Sequence, residues 1–309
     1  MFAPLSALAV GMWAIAAEPP ITAIAFAPDG QSVVVGSQAG VEQFAWPELT
    51  PLANLPTKLD NLHDLAFSPL GDRLAVAGGS PGESGSVELW TWPELKLHET
   101  WPAGNDVAYR VSWHGDGRQL AIACADRRVR IQPVEREGPR LIEAHSAAVL
   151  AVLWLPAENL IVSAGVDQSL RVLAATTGKT VRSLDNHTAT VRDLALRPGK
   201  FAGPPLVVSA GADRTVRFWQ PTIGRMVRFA RLPSAPTAIT WNAAGTHALA
   251  ACEDGQLRAI DHETLKIVPF AAKLAGRAHA VVAHPTEQAA IIAGEQGELR
   301  KIALDAITP

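Results

Sequence analysis

The chain has 309 residues, of which 48% are hydrophobic and 18% charged, and its formal net charge at pH 7 is −3. This composition supplies ample apolar surface for buried strands. Because the net charge is slightly negative and Lys and Arg are dispersed, the sequence carries no electrostatic footprint for nucleic acid or for an anionic lipid surface.

The N-terminal segment, residues 1–20, supports two interpretations. Ala14-Ile15-Ala16 followed by Ala17 resembles a signal-peptidase site, although no Lys or Arg precedes the apolar run. Cleavage there would give an exported or periplasmic protein, and an uncleaved chain would be cytoplasmic. In the second interpretation, residues 12–18 form the outermost strand of the last repeat. We expect no membrane span, because roughly fifteen apolar residues fall short of the ~20 that a span needs.

Residues 21–309 repeat one pattern seven times, at intervals of 41–46 residues. In each copy an apolar strand, called a, ends in a bulky residue and is followed by a turn containing Pro or Gly. Strand b is nearly continuously apolar, and strand c alternates apolar and polar residues. The last bulky residues of the seven strands a are Phe26, Phe67, Trp113, Trp154, Leu196, Trp241 and, weakly, Ala283.

A repeat of short strands at this period is typical of a circular array, because one small sheet cannot bury both of its faces alone. No helical periodicity of useful length interrupts the pattern. The sequence therefore predicts an all-β fold, a seven-bladed β-propeller of four-stranded antiparallel blades. Cys124 and Cys252 occupy equivalent places three blades apart, so we expect free, buried thiols rather than a disulfide.

Two local features stand out from the repeat. Residues 78–85 form an enlarged connection between strands b and c of the second copy, and their Gly, Ser and Pro content predicts a flexible loop. It is interpreted either as a binding loop or as a tolerated insertion. The phrase Trp-Pro-Glu-Leu follows strand c twice, at residues 46–49 and 92–95. It is read as a Pro-fixed turn with Trp packed over a blade edge, or as a paired aromatic contact site.

The fifth copy carries His187, Ser209, Asp213 and Trp219 at positions that resemble those of the WD40 repeat family. In that family these residue types form a hydrogen-bonded tetrad that pins a blade, so the resemblance implies a structural role and not the machinery of a serine hydrolase. The fourth copy has His145, Ser163 and Asp167 but Leu173 in place of Trp. The name-giving Trp-Asp pair is intact in no copy.

The resemblance also implies binding of partners through the narrower, top face, where the d–a and b–c loops surround the central channel. Counting four residues back from the end of each strand a gives one position per blade at the channel mouth. Aromatic and Arg side chains are typical of interface hot spots. The alternative is a solvated polar rim. The seven positions, called the top ring below, are Thr22, His63, Tyr109, Leu150, Arg192, Thr237 and His279.

The leading hypothesis for function is a non-catalytic scaffold that binds a protein or peptide, acting as a single propeller within a complex, with no cofactor and no nucleic-acid partner. The sequence lacks clustered metal-binding spacings and a phosphate-binding glycine loop. The alternative is a propeller enzyme, or an accessory protein that holds a metal or cofactor in the central channel. A metal bridged by His63 and His279 is conceivable, but an enzyme site of this kind needs several inward carboxylates, and strands a offer almost none beyond Asp64 and Asp193.

Overall fold

The computed structural model describes residues 18–135, 138–155, 158–199 and 201–307. Its strands form seven separate antiparallel sheets, six with four strands and the last with three, each in chain order. Blades one to three contain β1 Ile21–Phe26, β2 Ser32–Ser37, β3 Gly40–Ala45 and β4 Pro51–Leu55; β5 Leu62–Phe67, β6 Arg73–Ser80, β7 Ser84–Thr91 and β8 Leu97–Gly104; and β9 Ala108–Trp113, β10 Gln119–Cys124, β11 Arg128–Pro133 and β12 Arg140–Glu143.

Blades four to seven continue the same order. They contain β13 Val149–Leu155, β14 Leu160–Gly165, β15 Leu170–Ala174 and β16 Thr180–Leu184; β17 Val191–Leu196, β18 Val207–Gly211, β19 Thr215–Gln220 and β20 Arg225–Arg231; β21 Pro236–Trp241, β22 His247–Cys252, β23 Gln256–Asp261 and β24 Ile267–Lys273; and β25 Ala278–Ala283, β26 Ala289–Gly294 and β27 Leu299–Ala303. Two short 3₁₀ turns, Pro221–Ile223 and Asp305–Ile307, are the helical elements of the described residues.

The blades close into a ring. Their first strands contact one another in the cycle β1, β5, β9, β13, β17, β21, β25 and back to β1. Buried apolar residues form seven clusters in the described part of the chain, and each cluster lies between two neighbouring blades. The predicted all-β, seven-bladed propeller is therefore confirmed. Its core lies between the sheets, because each sheet buries its faces only against its neighbours.

The fourth strand of the last blade does not appear among the described residues. Residues 1–17, on which both interpretations of the N-terminal segment depend, lie outside them, and the choice between the two stays a prediction. Glu18 and Pro19, the first described residues, lie beside Gly297 in the turn between β26 and β27. None of the described helices is long and apolar enough to cross a membrane.

The prediction of a flexible loop at residues 78–85 is wrong. Strands β6 and β7 continue through this segment, pairing as far as Ser80 with Ser84, so only a three-residue tip separates them. The tip is tethered because the Gly82 N–H donates to the Asp106 carboxylate at 3.2 Å. Gly85 packs so closely on the Asp106 backbone that a Cβ there would lie 1.9 Å from its carbonyl oxygen. Gly78, Gly79 and Gly85 allow close packing of backbone, and Gly82 at the tip supplies a left-handed turn residue; composition alone reads these glycines as flexibility.

The two Trp-Pro phrases have different surroundings. Trp46 is buried, and its ring packs edge-on against Phe26 at 5.0 Å between centroids. Trp92 is half-buried and packs against Phe67 at 4.8 Å. Both are packed over their blades, and Trp46 offers no open aromatic surface. Cys124 and Cys252 are buried and free.

Candidate functional site

All seven residues of the top ring occupy the same place in their blades. Each is the second residue of its strand a, and each is partly exposed. At each of them the pairing of strands a and b skips one residue, as at the step from Leu62 to Asp64 and from Val191 to Asp193. A β-bulge of this kind turns a side chain away from the sheet. The bulges therefore turn one partly exposed side chain out of the sheet near the start of strand a in every blade.

His63 and Tyr109 form the aromatic part of the top ring. Their rings meet edge-to-face with 5.1 Å between centroids. Burial lowers the pKa of His63, and burial together with the Asp106 carboxylate raises the pKa of Tyr109. Both side chains are therefore uncharged at neutral pH. The tip of the β6–β7 hairpin is tethered close to this pair. The Gly82 N–H at the tip donates to the carboxylate of Asp106, which precedes Tyr109 by three residues.

The threonines of the top ring are already bonded within the fold. The Thr22 hydroxyl donates to the Leu62 carbonyl at 2.5 Å, and the Thr237 hydroxyl donates to the Ala278 carbonyl at 2.7 Å. In both cases the acceptor belongs to strand a of the next blade. These hydroxyls therefore link neighbouring blades at the channel mouth.

Arg192 and His279 lie on the other side of the ring. Arg192 Nη2 lies 2.8 Å from Glu253 Oε1, and the same carboxylate oxygen lies 3.8 Å from Arg277 Nη2. Burial, reinforced by the Arg277 charge, lowers the pKa of His279. Arg192 also donates to the Pro236 carbonyl at 3.4 Å, and its ion pair is partly exposed, so a partner's carboxylate could replace Glu253 at little cost. Leu150, the remaining member of the ring, is partly exposed.

One residue further along strand a, an ion-pair network crosses the channel. Arg110 of blade three contacts the Asp64 carboxylate of blade two at 3.3 Å and also contacts the Asp193 carboxylate of blade five. The second oxygen of Asp64 accepts the Val111 N–H, and that of Asp193 accepts the Ile239 N–H, at 2.9 and 2.8 Å. Four blades are joined in this way near the top of the channel.

Burial dominates the electrostatics of this network. It raises the pKa of Asp64 to about 6, against the lowering effect of Arg110, and it also raises the pKa of Asp193. Burial alone would lower the pKa of Arg110, but the negative charges of Asp193 and Asp64 outweigh this effect and raise it. The guanidinium therefore stays protonated between two carboxylates, one of which takes up a proton in mildly acidic solution.

Sequence reasoning named Asp64 and Asp193 but missed Arg110. A signal was present, because the position after the top ring carries small residues that leave room for a long side chain to cross the channel. The seven residues at this position are Ala23, Asp64, Arg110, Ala151, Asp193, Ala238 and Ala280.

The channel itself is a cavity of about 390 Å³ lined mainly by strands a. In the described residues no group of three or more His, Cys, Asp or Glu side chains is arranged to hold a metal ion. A metal bridged by His63 and His279, the minor alternative from the sequence, would have no third His, Cys, Asp or Glu ligand within that part of the chain.

The four residues of the tetrad in blade five form one chain of hydrogen bonds. His187 Nδ1 lies 2.9 Å from Asp213, His187 Nε2 lies 2.8 Å from Ser209 Oγ, and the Trp219 indole N–H donates to that same oxygen at 2.8 Å. Burial alone would raise the pKa of Asp213, but hydrogen bonds from Thr215 and His187 outweigh it and hold the pKa at about 2. All four side chains are therefore hydrogen-bonded to one another.

Blades three and six replace the tetrad by an ion pair. Arg130 makes two hydrogen bonds to Asp126 at 2.9 and 2.6 Å, and Arg258 makes two to Asp254 at 3.0 and 2.6 Å. In both blades the carboxylate lies in the b–c turn and the guanidinium comes from strand c. A bidentate Arg–carboxylate pair can hold the turn in place of a histidine, which explains how these blades keep their shape without the family's full set.

The repeats match a described family. The family model "WD domain, G-beta repeat" matches residues 139–172 and 178–220. Among curated proteins, the chain is 29% identical over 171 residues to nuclear distribution protein PAC1 of Arthroderma otae, covering 51% of this chain and 36% of that protein. It is 31% identical over 164 residues to nuclear distribution protein nudF 1 of Talaromyces marneffei, covering 51% and 35%.

A third relative is telomerase protein component 1 of Mus musculus, 31% identical over 159 residues, which cover 49% of this chain and 6% of that protein. The alignments span about a third of the length of the nuclear distribution proteins. Since the matched relatives carry different names, the likeness extends to the repeat and its propeller.

Proposed function

Because the chain belongs to the WD40 repeat family, we propose that it is a non-catalytic scaffold that binds a protein or peptide segment across the top face of its propeller. The observation that supports this proposal is the series of seven β-bulges, which turns one partly exposed side chain per blade out of the sheet near the start of strand a. The ring combines an aromatic pair with an exchangeable arginine, the types that dominate interface hot spots.

The hairpin of blade two and the polar network below the ring shape this surface. The tethered tip at residues 81–83 adds a wall beside Tyr109, so a bound segment would lie against it rather than on an open plane. Arg110 closes the channel beneath the ring by its ion pairs to Asp64 and Asp193. A ligand would therefore rest on the mouth of the channel instead of passing through it.

The wider role is also a proposal. Curated relatives are named for nuclear distribution, and a scaffold in a multi-protein assembly fits both those names and the propeller. We propose that this chain acts as one propeller within such an assembly, with no cofactor. Its compartment follows from the N-terminal segment: a mature chain starting at Ala17 would be exported, and an intact N-terminus would place it in the cytoplasm.

The experiment that tests the top face is site-specific photo-crosslinking in extracts of the native host. A photoreactive amino acid replaces Tyr109 in one variant and Leu70, an exposed residue at the opposite end of blade two, in the other. We expect a discrete adduct from position 109 alone, and its loss when His63→Ala and Arg192→Ala are added. Equal adducts from both positions, or an adduct that survives both alanines, would refute top-face binding.

A further inference from the structure

The outermost strand of blade five differs from the outer strands of the other five four-stranded blades. Strands β4, β8 and β24 each contain a proline, and β12 and β16 have only four and five residues. Short length and proline are devices that stop a further strand from adding to an exposed edge. Strand β20 has seven residues and no proline, and it pairs only with β19 among the described strands. Its outer edge is open.

This edge carries an unusual concentration of unpaired positive charge. Arg225, Arg228 and Arg231 are exposed, and so is Arg214 in the turn that packs against the end of β20. None of the four forms a side-chain hydrogen bond or ion pair with a described residue, whereas most arginines elsewhere do. The molecule as a whole has a net charge of −3, so this patch is a local reversal of sign.

The register of β20 distributes these charges over both faces of the blade. Arg228 lies opposite Phe218, whose cluster faces blade six, whereas Phe229 lies opposite Arg217 on the other face. Phe229 is 48% exposed, and the Arg217 guanidinium lies over its ring at 5.3 Å. Side chains of an added strand would alternate between the same two faces. Acidic residues at successive positions would therefore meet arginines on both faces, and one apolar residue would cover Phe229.

We propose that β20 is a docking edge for an extended, acidic segment of a partner protein, which adds to blade five as a fifth strand. Main-chain hydrogen bonds would supply affinity, and the arginines would select for acidic side chains. A peptide is favoured over nucleic acid because only a peptide offers alternating N–H and C=O groups to an open sheet edge. Apart from Arg214, which lies in a b–c turn, the surface lies on the rim of the ring and not on the top face, and the inference stands independently of the proposed function.

Fluorescence anisotropy with a labelled peptide Glu-Glu-Val-Glu-Val-Glu-Glu tests the charge requirement. The variant Arg225→Glu/Arg228→Glu/Arg231→Glu is expected to bind at least tenfold more weakly than the wild type. The control Arg118→Glu/Arg127→Glu/Lys273→Glu makes the same change in net charge at exposed sites away from β20. It is expected to change the affinity less than threefold. A similar loss in both variants would indicate diffuse attraction and overturn the proposal.

A second peptide tests strand addition itself. It has the same sequence but carries N-methyl groups on alternate amides, which remove backbone donors and leave every charge in place. We expect its affinity for the wild-type protein to fall at least tenfold. Equal affinity of the two peptides, no binding of either, or tighter binding of duplex DNA that depends on the same three arginines would overturn the proposal. Because the protein is unchanged in this comparison, its outcome does not depend on how the variants fold.

Discussion

At the scale of single residues, Arg110 has the largest structural consequence in the channel. Its guanidinium is the cation shared by two carboxylates, Asp64 and Asp193, whose side chains are 11% and 4% exposed. A buried ion pair adds little stability compared with apolar packing, but removing one partner leaves the other charge buried without compensation. The main energetic effect of the network is therefore the loss of stability expected when one of its members is removed.

The variant Arg110→Met should lower the free energy of unfolding by about 3 kcal/mol, because two carboxylates then remain buried without a cation. Denaturant unfolding at neutral pH measures this loss. The control is Arg192→Met, which breaks a partly exposed ion pair with Glu253 and should cost no more than about 1 kcal/mol. Equal losses in the two variants would contradict the assignment, and replacing both aspartates by asparagine in the Arg110→Met background should restore most of the stability.

The same network predicts a pH dependence. Burial raises the folded-state pKa of Asp64 from 3.8 to about 6. The protonated form is thus favoured by folding, so its contribution to stability is complete below about pH 4 and is lost as the pH rises through 6. The variant Asp64→Asn keeps a neutral side chain at every pH.

The unfolding free energy of the wild type, minus that of Asp64→Asn, should therefore fall by roughly 1–3 kcal/mol between pH 4 and pH 7.5. Denaturant titrations of both proteins at several pH values measure the difference. A difference that stays constant, or that grows as the pH rises, would show that Asp64 is not the group that titrates.

At the scale of structural elements, the β6–β7 hairpin is a pair of regular strands where the composition of residues 78–85 predicted a flexible loop. Its packing depends on contacts that only glycine permits. Gly85 faces the backbone of Asp106, whereas Gly82 at the tip has nothing within 4 Å of its ideal Cβ position and a φ of +71°.

Gly85→Ala should destabilise the protein by about 1–3 kcal/mol, because the added methyl group forces the hairpin away from the loop before β9. Gly82→Ala is the matched control in the same hairpin and should cost about 1 kcal/mol, from its left-handed backbone alone. Thermal unfolding gives both values. Amide hydrogen exchange should also show faster exchange in β7 for Gly85→Ala alone, and a uniform response to both substitutions would contradict this packing.

The sequence predicts features that depend on residues close together in the chain, and it does not predict those that depend on residues far apart. Strands a, b and c were recognisable because alternation and turn residues are local signals, and a fixed offset from the end of strand a located the top ring. The bulge at each of these positions, and the contact of Arg110 with Asp193, depend on how separate strands pack. Residues 83 apart in sequence meet there, and no local pattern encodes the distance between them.

At the scale of the whole molecule, stability depends on closing the ring between blades one and seven. The Trp46 indole N–H donates to Glu287 at 3.1 Å, and the Lys301 ammonium lies 4.4 Å from the centre of the Trp46 ring. His284 Nε2 lies 3.1 Å from the Gly30 carbonyl in the same contact region. These interactions join residues from the two ends of the described chain, so they close the ring between its first and last blades.

Trp46→Leu should therefore cost more than Trp92→Leu, its counterpart in the repeated Trp-Pro phrase. The first removes a buried ring with a hydrogen bond and a cation contact across the closing interface, and we expect a loss of about 3–4 kcal/mol. The second shortens a half-buried side chain that packs on Phe67 and on the cluster between blades one and two, and should cost about 1–2 kcal/mol. Denaturant unfolding followed by circular dichroism compares the variants, and limited proteolysis should open the Trp46→Leu ring first at blades one and seven. If the two substitutions cost the same, the closing contact contributes no more to stability than the packing of Trp92 between blades one and two.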